Sequence, residues 1–227
     1  MNPRRLFVAG STGATGRLVV NLAASQAIPC VAHVRPRPGR IPGPGQAVFE
    51  LSDRQALVSA LRGCTTVLQL IGTMRSRFAS GDTYQTSDVG TTRDLVEAAR
   101  EAGVDHVVLL SSVGAGRPVG AYLQAKAAAE DLVRGAGISW TIFRPSVFIG
   151  EGRRPPPGFA SLTRLLGLRR FEPIPLDTLA RGLLRSAAER APLETVLEGE
   201  SLWAWCSDRG VVSTARWQRP KRDGAHE

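Results

Sequence analysis

The sequence contains few of the residues that metal sites and disulfide frameworks require. It has three cysteines and three histidines among 227 residues, with no Cys-x-x-Cys pair and no Cys/His ligand spacing. An odd number of widely separated cysteines fits reduced thiols better than a disulfide framework. We therefore expect neither a metal site nor disulfide bonds.

Long apolar segments are also absent. The longest apolar runs, such as HVVLL, have the length of a β-strand, whereas a membrane-spanning helix needs about 20 residues. The amino terminus, MNPRRLFVAGSTG, passes directly into a glycine-rich turn and lacks the apolar core and cleavage site of a signal peptide. These absences predict a cytoplasmic protein that does not associate with membranes.

Lysine and tyrosine are rare, although the chain is strongly basic. The formal net charge is +9, yet the only lysines are Lys126 and Lys221 and the only tyrosines are Tyr84 and Tyr122. A positive charge of this size suits nucleic acid or an acidic membrane surface. The arginines are scattered, however, and no nucleic-acid-binding motif is recognisable. We interpret the charge as a solvated surface with a basic tail over residues 206–227, and expect no specific nucleic-acid partner.

Segments typical of strands and helices alternate along most of the chain. The expected strands are RLFVAG, CVAHVR, AVFEL, TVLQLIG, HVVLLSS and SWTIFRP, with TVLEGESLW as a further candidate. Their continuous apolar character is typical of a parallel sheet covered by helices on both faces. The sequence therefore predicts an α/β fold, a doubly wound parallel sheet (Rossmann fold). After Pro145 the alternation stops, so we expect one domain over residues 1–227, in which residues 145–205 form a small C-terminal substrate lobe.

The segment GSTGATG follows the first expected strand and opens the first expected helix. At such a junction the first glycine permits a tight turn, the second lets a pyrophosphate approach the backbone, and the third allows close helix–strand packing. The free N–H groups at the start of the helix also favour a phosphate. The segment therefore predicts a dinucleotide-binding turn, or alternatively a turn needed only for packing. The predicted binding residues are Gly10, Ser11, Thr12, Gly13, Ala14, Thr15 and Gly16.

The end of the second expected strand indicates which dinucleotide binds. An acidic residue there would bind an unphosphorylated ribose, but this chain has Arg35, followed by Arg37 and Arg40. Guanidinium groups suit a 2′-phosphate through charge-assisted, bidentate hydrogen bonds. We therefore predict NADP(H), while NAD(H) stays possible if these arginines are merely solvated. After the third strand, Leu51 and Asp53 are predicted to lie near the adenine ring.

A serine, tyrosine and lysine set follows the fifth expected strand. Ser111 and Ser112 end that strand, on the side where parallel sheets bind their ligands. Tyr122 and Lys126 are four residues apart on the next helix and so share a face. An ammonium group stabilises a nearby phenolate, and lysine can also reach a ribose hydroxyl. We predict that Tyr122 and Lys126 are catalytic, with a serine orienting the substrate; the alternative is that Tyr122 only packs.

Taken together, these motifs resemble the short-chain dehydrogenase/reductase superfamily, in particular its atypical, NmrA-like or NAD(P)H-binding-domain members. The segments GSTGATG, DVGTTRDLVEAAREAGVDHVVLLSS, YLQAK and TIFRPSVFIGEG occur in the expected order, and LLSSVGAG, YLQAK and FRP are most similar to Tat-interacting-protein-type oxidoreductases. The resemblance implies phosphate binding by the glycine turn and 2′-phosphate binding by Arg35. It also implies that Ser112, Tyr122 and Lys126 are catalytic, with Ser111 at the cofactor rim and as the fallback serine.

The chain departs from the better-known branch of that superfamily at two places. Its fourth strand ends in LIGTM instead of asparagine–alanine–glycine, and the segment from Ser112 to Tyr122 is short. The connecting loop must therefore be tight.

The combined pattern predicts an NADPH-dependent reductase that transfers hydride to a carbonyl or quinone-like small molecule. The alternative is a non-catalytic NADP(H)-binding redox sensor, although relatives of that kind commonly lack the Tyr/Lys pair. A sugar-nucleotide epimerase fits less well, because the lobe is small. Phe148, Phe159 and Phe171 form either a substrate pocket wall or simply the core of the lobe. Both a monomer and a homodimer are compatible with the sequence.

Overall fold

The computed structural model describes residues 5–39, 41–72, 83–146, 148–149 and 169–208. The strands are β1 (Leu6–Ala9), β2 (Cys30–Val34), β3 (Gln46–Val48), β4 (Thr66–Gln69), β5 (His106–Leu110), β6 (Ser139–Arg144), β7 (Phe148–Ile149), β8 (Ile174–Pro175) and β9 (Thr195–Glu198). The α-helices are α1 (Ala14–Ser25), α2 (Arg54–Leu61), α3 (Thr91–Ala102), α4 (Ala121–Arg134), α5 (Leu176–Glu189) and α6 (Glu200–Ser207). A π-helical turn, Gln85–Gly90, leads directly into α3, and a short 3-10 turn covers Arg169–Phe171.

Seven strands form one parallel sheet in the order β3-β2-β1-β4-β5-β6-β9, and β7 and β8 pair separately. The order reverses between β1 and β4, which both pair in parallel with their neighbours. In open sheets of this kind, ligands bind at such a reversal, beyond the carboxyl ends of the strands. The predicted doubly wound parallel sheet is confirmed, and its ligand crevice is expected after β1 and β4.

The hydrophobic core has one layer on each face of the sheet. In β1, Phe7 belongs to the layer under α2, α3 and α4, while Leu6 and Val8 belong to the layer under α1, α5 and α6. All three side chains are fully buried. Successive strand residues point to opposite faces, so a strand covered on both faces must be apolar throughout. This explains why the strands appear in the sequence as unbroken apolar runs.

The described C-terminal residues are built into the main sheet and its helical layer. Strand β9 pairs with β6, and α5 packs against α1. Cys206 is buried against α5, where a Cβ added at Gly182 would lie 2.3 Å from the cysteine Sγ. The first residues of the predicted tail therefore belong to α6. The further strand predicted from TVLEGESLW is right only for Thr195–Glu198, since the next residues enter α6.

Part of the predicted substrate lobe, residues 150–168, lies outside the described residues, as does most of the predicted tail, residues 209–227. The lobe stays a prediction. No helix within the described ranges is long and apolar enough to cross a membrane.

Candidate cofactor and active site

The glycine turn after β1 is shaped by two close approaches of the backbone. Gly10 has a positive φ of 83°, and a Cβ there would lie 2.8 Å from the carbonyl carbon of Leu70. A Cβ at Gly16 would lie 2.1 Å from the oxygen of Gly10, so the helix can approach the turn only with glycine at this position. A Cβ at Gly13 would contact only the oxygen of Gly10, at 3.3 Å. Without a side chain at Gly13, the backbone beside the crevice stays accessible to a bound phosphate.

A cavity of about 520 Å³ extends from this turn along the carboxyl ends of β1, β2 and β4. Pockets of a few hundred to about 1,000 Å³ are typical of small-molecule and cofactor sites. The wall of this cavity contains two guanidinium groups and two carboxylates. The lining residues are Gly10, Thr12, Gly13, His33, Val34, Arg35, Arg37, Glu50, Leu51, Ser52, Leu70, Ile71, Gly72, Thr86, Thr91 and Asp94. These residues fit a dinucleotide, with its phosphates against the glycine turn.

Two of the three predicted arginines line the cavity, and the predicted Leu51 does so from a buried position. Arg40 lies outside the described residues. Asp53 is not part of the cavity wall, because its carboxylate accepts a hydrogen bond of 3.0 Å from the N–H of Ala56 and caps α2. The prediction that Asp53 contacts adenine is therefore not supported.

The cavity wall contains carboxylates that were not predicted from the sequence, at Glu50 and Asp94. Partial burial, reinforced by the neighbouring Glu97, raises the pKa of Asp94. Nothing in the local sequence distinguishes these two carboxylates from the other surface acids, so only the folded chain places them in the wall.

Ser11 and His33 fix the ends of the first strands next to the cavity. The Ser11 hydroxyl donates to the carbonyl oxygen of His33, and the His33 Nε2 lies 2.8 Å from the carbonyl oxygen of Phe49. Burial lowers the pKa of His33, so its ring is neutral at physiological pH. The Ser11 side chain is therefore engaged within the protein. Of the other predicted turn residues, Thr12 lines the cavity, and Ala14, Thr15 and Gly16 form the start of α1.

Tyr122 and Lys126 share one face of α4, as predicted. The Lys126 Nζ lies 6.0 Å from the centroid of the Tyr122 ring and 3.3 Å from the carbonyl oxygen of Leu110, at the end of β5. A Cβ added at Gly72 would lie 3.3 Å from the same Nζ. Gly72 lines the cavity after β4, so the ammonium group lies beside one residue of the cavity wall, although Lys126 itself is not among the lining residues.

Lys126 has a partner that the sequence did not reveal. Its Nζ lies 2.7 Å from the Asp88 Oδ1, and both side chains are almost completely buried. Asp88 belongs to the π-helical turn, and Tyr84 immediately precedes that turn. The Tyr84 and Tyr122 rings meet edge to face with centroids 5.4 Å apart. The only two tyrosines of the chain are thus in contact beside the ion pair.

The two serines after β5 have different surroundings. The Ser111 hydroxyl is buried and donates to the Glu130 Oε1 at 2.6 Å. Glu130 also accepts two hydrogen bonds from Arg144, at 2.8 and 2.6 Å. Ser112 is partly exposed, and among the described residues its hydroxyl has one long contact, 3.4 Å to the carbonyl oxygen of Val113. This geometry speaks against Ser111 as a ligand-binding or fallback catalytic hydroxyl and leaves Ser112 as the candidate.

The loop between Ser112 and Tyr122 is as tight as the short spacing predicted. Gly114 and Gly120 both adopt positive φ, at 94° and 81°. A Cβ at Gly114 would also come within 3.0 Å of the Leu123 side chain. Glycine at these positions lets the chain reverse within a few residues and start α4 beside the end of β5.

The aromatic residues proposed for a substrate wall are only partly described. Phe148 is half-buried in β7 and Phe171 is exposed, while Phe159 lies outside the described residues. A shared substrate wall formed by the three therefore stays a prediction.

Similar proteins share both the sequence pattern and the fold. A family described as NAD(P)H-binding matches residues 10–186. An uncharacterised chloroplastic protein of Arabidopsis thaliana is 27% identical over 96% of this chain and 79% of its own length. A (4-alkanoyl-5-oxo-2,5-dihydrofuran-3-yl)methyl phosphate reductase of Streptomyces griseus is 29% identical over 69% of this chain. The match spans 52% of that reductase, about half of its length.

Solved structures with the same fold include proteins with bound NAD. MoeE5 in complex with UDP-glucose and NAD gives a TM-score of 0.64 at 23% identity, over 89% of this chain and 81% of that one. A short-chain dehydrogenase/reductase superfamily protein of Agrobacterium tumefaciens with bound NAD gives 0.63 at 20% identity, over 86% and 76%. At these identities the likeness shows the fold. Together with the glycine turn and its cavity, the family match shows that this chain belongs to the NAD(P)H-binding family of Rossmann-fold proteins.

Proposed function

We propose that this protein is an NADPH-dependent reductase that transfers hydride to a carbonyl or quinone-like small molecule. Tyr122 acts as the general acid, assisted by Lys126 and Ser112. The main supporting observation is that Lys126, one helical turn from Tyr122, has its Nζ beside Gly72, a residue in the wall of the cavity that begins at the glycine turn. A proton donor beside a dinucleotide crevice is the arrangement that carbonyl reduction requires.

The preference for NADPH rests on Arg35 and Arg37. Both line the cavity after β2, where the 2′-phosphate of NADPH would meet two guanidinium groups. The NAD in the similar structures is a property of those proteins. NADH is therefore the second cofactor to test.

The chain's own residues supply the proton and hold the reactants. NADPH, when bound, supplies the hydride that reaches the carbonyl carbon. Tyr122 donates its hydroxyl proton to the carbonyl oxygen as negative charge develops there, and the phenolate recovers a proton from solvent. Ser112 orients the carbonyl oxygen, and Lys126 would hold a ribose hydroxyl of the bound cofactor beside Gly72. The Streptomyces relative named as a reductase supports this reaction class.

The test is NADPH oxidation against a panel of aldehydes, ketones and quinones, comparing the parent with Tyr122→Phe. We expect kcat to fall by a factor of about 10² to 10⁴, with the KM for NADPH nearly unchanged. Tyr84→Phe is the matched control, since it removes the neighbouring tyrosine hydroxyl and should retain most of the activity.

Two results would contradict this proposal. If the activity survives in Tyr122→Phe, hydride transfer does not need the tyrosine acid and the role of Tyr122 is wrong. If the parent binds NADPH but turns over no member of the panel, the protein is better explained as a dinucleotide sensor.

A further inference from the structure

The π-helical turn holds Asp88 inside the protein, beside the candidate active site. Its backbone is fixed by the Thr92 hydroxyl, which donates to the carbonyl oxygen of Asp88 at 2.6 Å. The Gln69 side chain at the end of β4 in turn donates to the Thr92 hydroxyl at 3.0 Å. Single π-helical turns inserted in helices are frequent at functional sites. Here the turn is tied to the strand that forms the crevice.

The Asp88 carboxylate is in direct contact with the Lys126 ammonium, and the centre of the Tyr122 ring is farther away. The ion-pair distance is 2.7 Å, whereas the ammonium lies 6.0 Å from the centre of the Tyr122 ring. The exposed fractions of the Lys126 and Asp88 side chains are 6% and 1%, so solvent screens neither charge effectively. The Asp88 carboxylate therefore compensates the ammonium charge within the protein and weakens its effect on Tyr122.

This pairing changes the role that the sequence alone suggested for Lys126. A lone buried ammonium stabilises a neighbouring phenolate, because opposite charges attract strongly where water is excluded. A neutral ion pair exerts only the weaker field of a dipole at the same distance. Lys126 paired with Asp88 thus favours the tyrosinate form of Tyr122 less than an unpaired lysine would.

We propose that Asp88 is a positioning residue that compensates the charge of Lys126, keeps Tyr122 as a neutral phenol, and so sets the site for proton donation. The inference rests on the proposed reductase function and deepens it. Reduction starts from the phenol, whose proton goes to the carbonyl oxygen as hydride reaches the carbonyl carbon. The reverse reaction starts from the phenolate, which takes the alcohol proton. Asp88 therefore helps to keep the tyrosine in the protonated form from which reduction starts.

Among the described residues, Tyr84 contacts Tyr122 edge to face, the Lys126 Nζ lies 6.0 Å from the Tyr122 ring centroid, and Asp88 pairs with Lys126. Tyr84→Phe leaves Tyr122 as the only tyrosine of the chain. Its ionisation can then be followed by the near-ultraviolet absorbance of tyrosinate during a pH titration, independently of turnover. The same protein with Tyr122→Phe added contains no tyrosine and provides the baseline.

The experiment is a charge cycle in the Tyr84→Phe protein. Asp88→Asn leaves the ammonium uncompensated, so tyrosinate should form at lower pH than in the parent. Lys126→Met leaves a lone carboxylate, so tyrosinate should form at higher pH. The double variant has neither charge and should titrate close to the parent. If the protein reduces carbonyls, the pH above which kcat/KM for reduction falls should also be lower in Asp88→Asn than in the parent.

An unchanged titration in Asp88→Asn, or a shift to higher pH, would overturn the inference. Burying one unpaired charge can prevent folding, so circular dichroism and thermal unfolding accompany each titration. If Asp88→Asn alone does not fold, the comparison of Lys126→Met with the double variant still tests the inference. Adding Asp88→Asn to Lys126→Met removes the lone carboxylate and must lower the pH at which Tyr122 ionises. A parent without any NADPH oxidation would refute the reductase proposal alone, because the titration still measures the charge compensation.

Discussion

Arg35 and Arg37 lie in the wall of the cofactor cavity after β2, yet a single guanidinium can bind a phosphate or simply face water. Their presence in one cavity with the glycine turn favours the first role. Arginine is abundant throughout this chain, so the distinction depends on position and not on composition. Substituting each of these two arginines singly therefore tests whether they select NADPH over NADH.

We expect Arg35→Ala and Arg37→Ala each to raise the KM for NADPH by about tenfold, because each removes a charge-assisted bond to the 2′-phosphate. The KM for NADH should change little. The measurement is the ratio of the two KM values, or of dissociation constants if turnover is low. Arg54→Ala is the control, since Arg54 pairs with Glu97 and Glu101 and is not part of the cavity wall. An equal effect on both cofactors would contradict the assignment.

At the scale of secondary-structure elements, one buried carboxylate joins the helix of the candidate catalytic residues to the ends of three strands. Glu130 of α4 binds Ser111 after β5 and Arg144 at the end of β6. Arg144 also pairs with Glu198 at the end of β9, at 3.1 Å. This network fixes the position of α4 relative to the crevice and thereby the position of Tyr122 and Lys126.

Burial favours the neutral form of Glu130, but hydrogen bonds from Arg144 and Ser111 outweigh it and hold the pKa of Glu130 below its ordinary value of 4.5. The folded state therefore binds this proton less readily than the unfolded state. The resulting stabilisation is present above pH 4.5 and is lost as the pH falls through the lowered pKa. The network thus contributes to stability at neutral pH and weakens in acid.

We expect Glu130→Gln to lower the free energy of unfolding by about 3 kcal/mol at neutral pH, because Arg144 loses its buried partner. The difference from the parent should shrink as the pH falls from 4.5 through the lowered pKa of Glu130, because the parent loses this stabilisation over that range. Urea unfolding at several pH values measures it. The matched control is Glu97→Gln, whose half-exposed pair with Arg54 is screened by solvent and should change the free energy of unfolding little at any pH. A constant difference across the pH range would refute the mechanism.

At the scale of the whole molecule, a fully buried histidine makes the fold sensitive to acid. His106 starts β5, and its Nε2 lies 2.9 Å from the Thr141 hydroxyl of β6. That hydroxyl donates to the carbonyl oxygen of Pro192 at 2.6 Å. It therefore accepts from the neutral imidazole. Burial, and to a smaller extent the charge of Arg190, lowers the pKa of His106 to about 4 from 6.5.

The unfolded chain binds a proton at this histidine below pH 6.5, whereas the folded chain binds it only near pH 4. Stability is therefore full above pH 6.5 and falls between these two values, by up to about 3 kcal/mol. In His106→Gln, the free energy of unfolding from urea titrations should depend less steeply on pH in this window. The slope should not vanish, because burial also lowers the pKa of His33. Equal slopes in parent and variant would contradict this account.

The features that the sequence predicted correctly depend on local or periodic properties. The glycine turn was recognisable because Gly10 and Gly16 serve backbone approaches that no other residue permits. The parallel sheet was recognisable because strands buried on both faces must be apolar at every position. Even Lys126 on the Tyr122 face of α4 required only the geometry of one helix. The predicted contact between Asp53 and the adenine ring was not supported, because the Asp53 carboxylate caps the N-terminus of α2 instead.

By itself, the sequence determined the Rossmann fold, the dinucleotide-binding turn and the Tyr/Lys face of α4, because backbone sterics and hydrophobic periodicity act over a few residues. Only the tertiary structure decided the partners of the charged side chains. Asp88 meets Lys126, and Glu130 meets Ser111 and Arg144, through contacts between residues distant in the chain. Electrostatic interactions depend on distance and burial in space. A carboxylate at the surface and one beside the candidate active site are therefore identical in the sequence and differ only once the chain has folded.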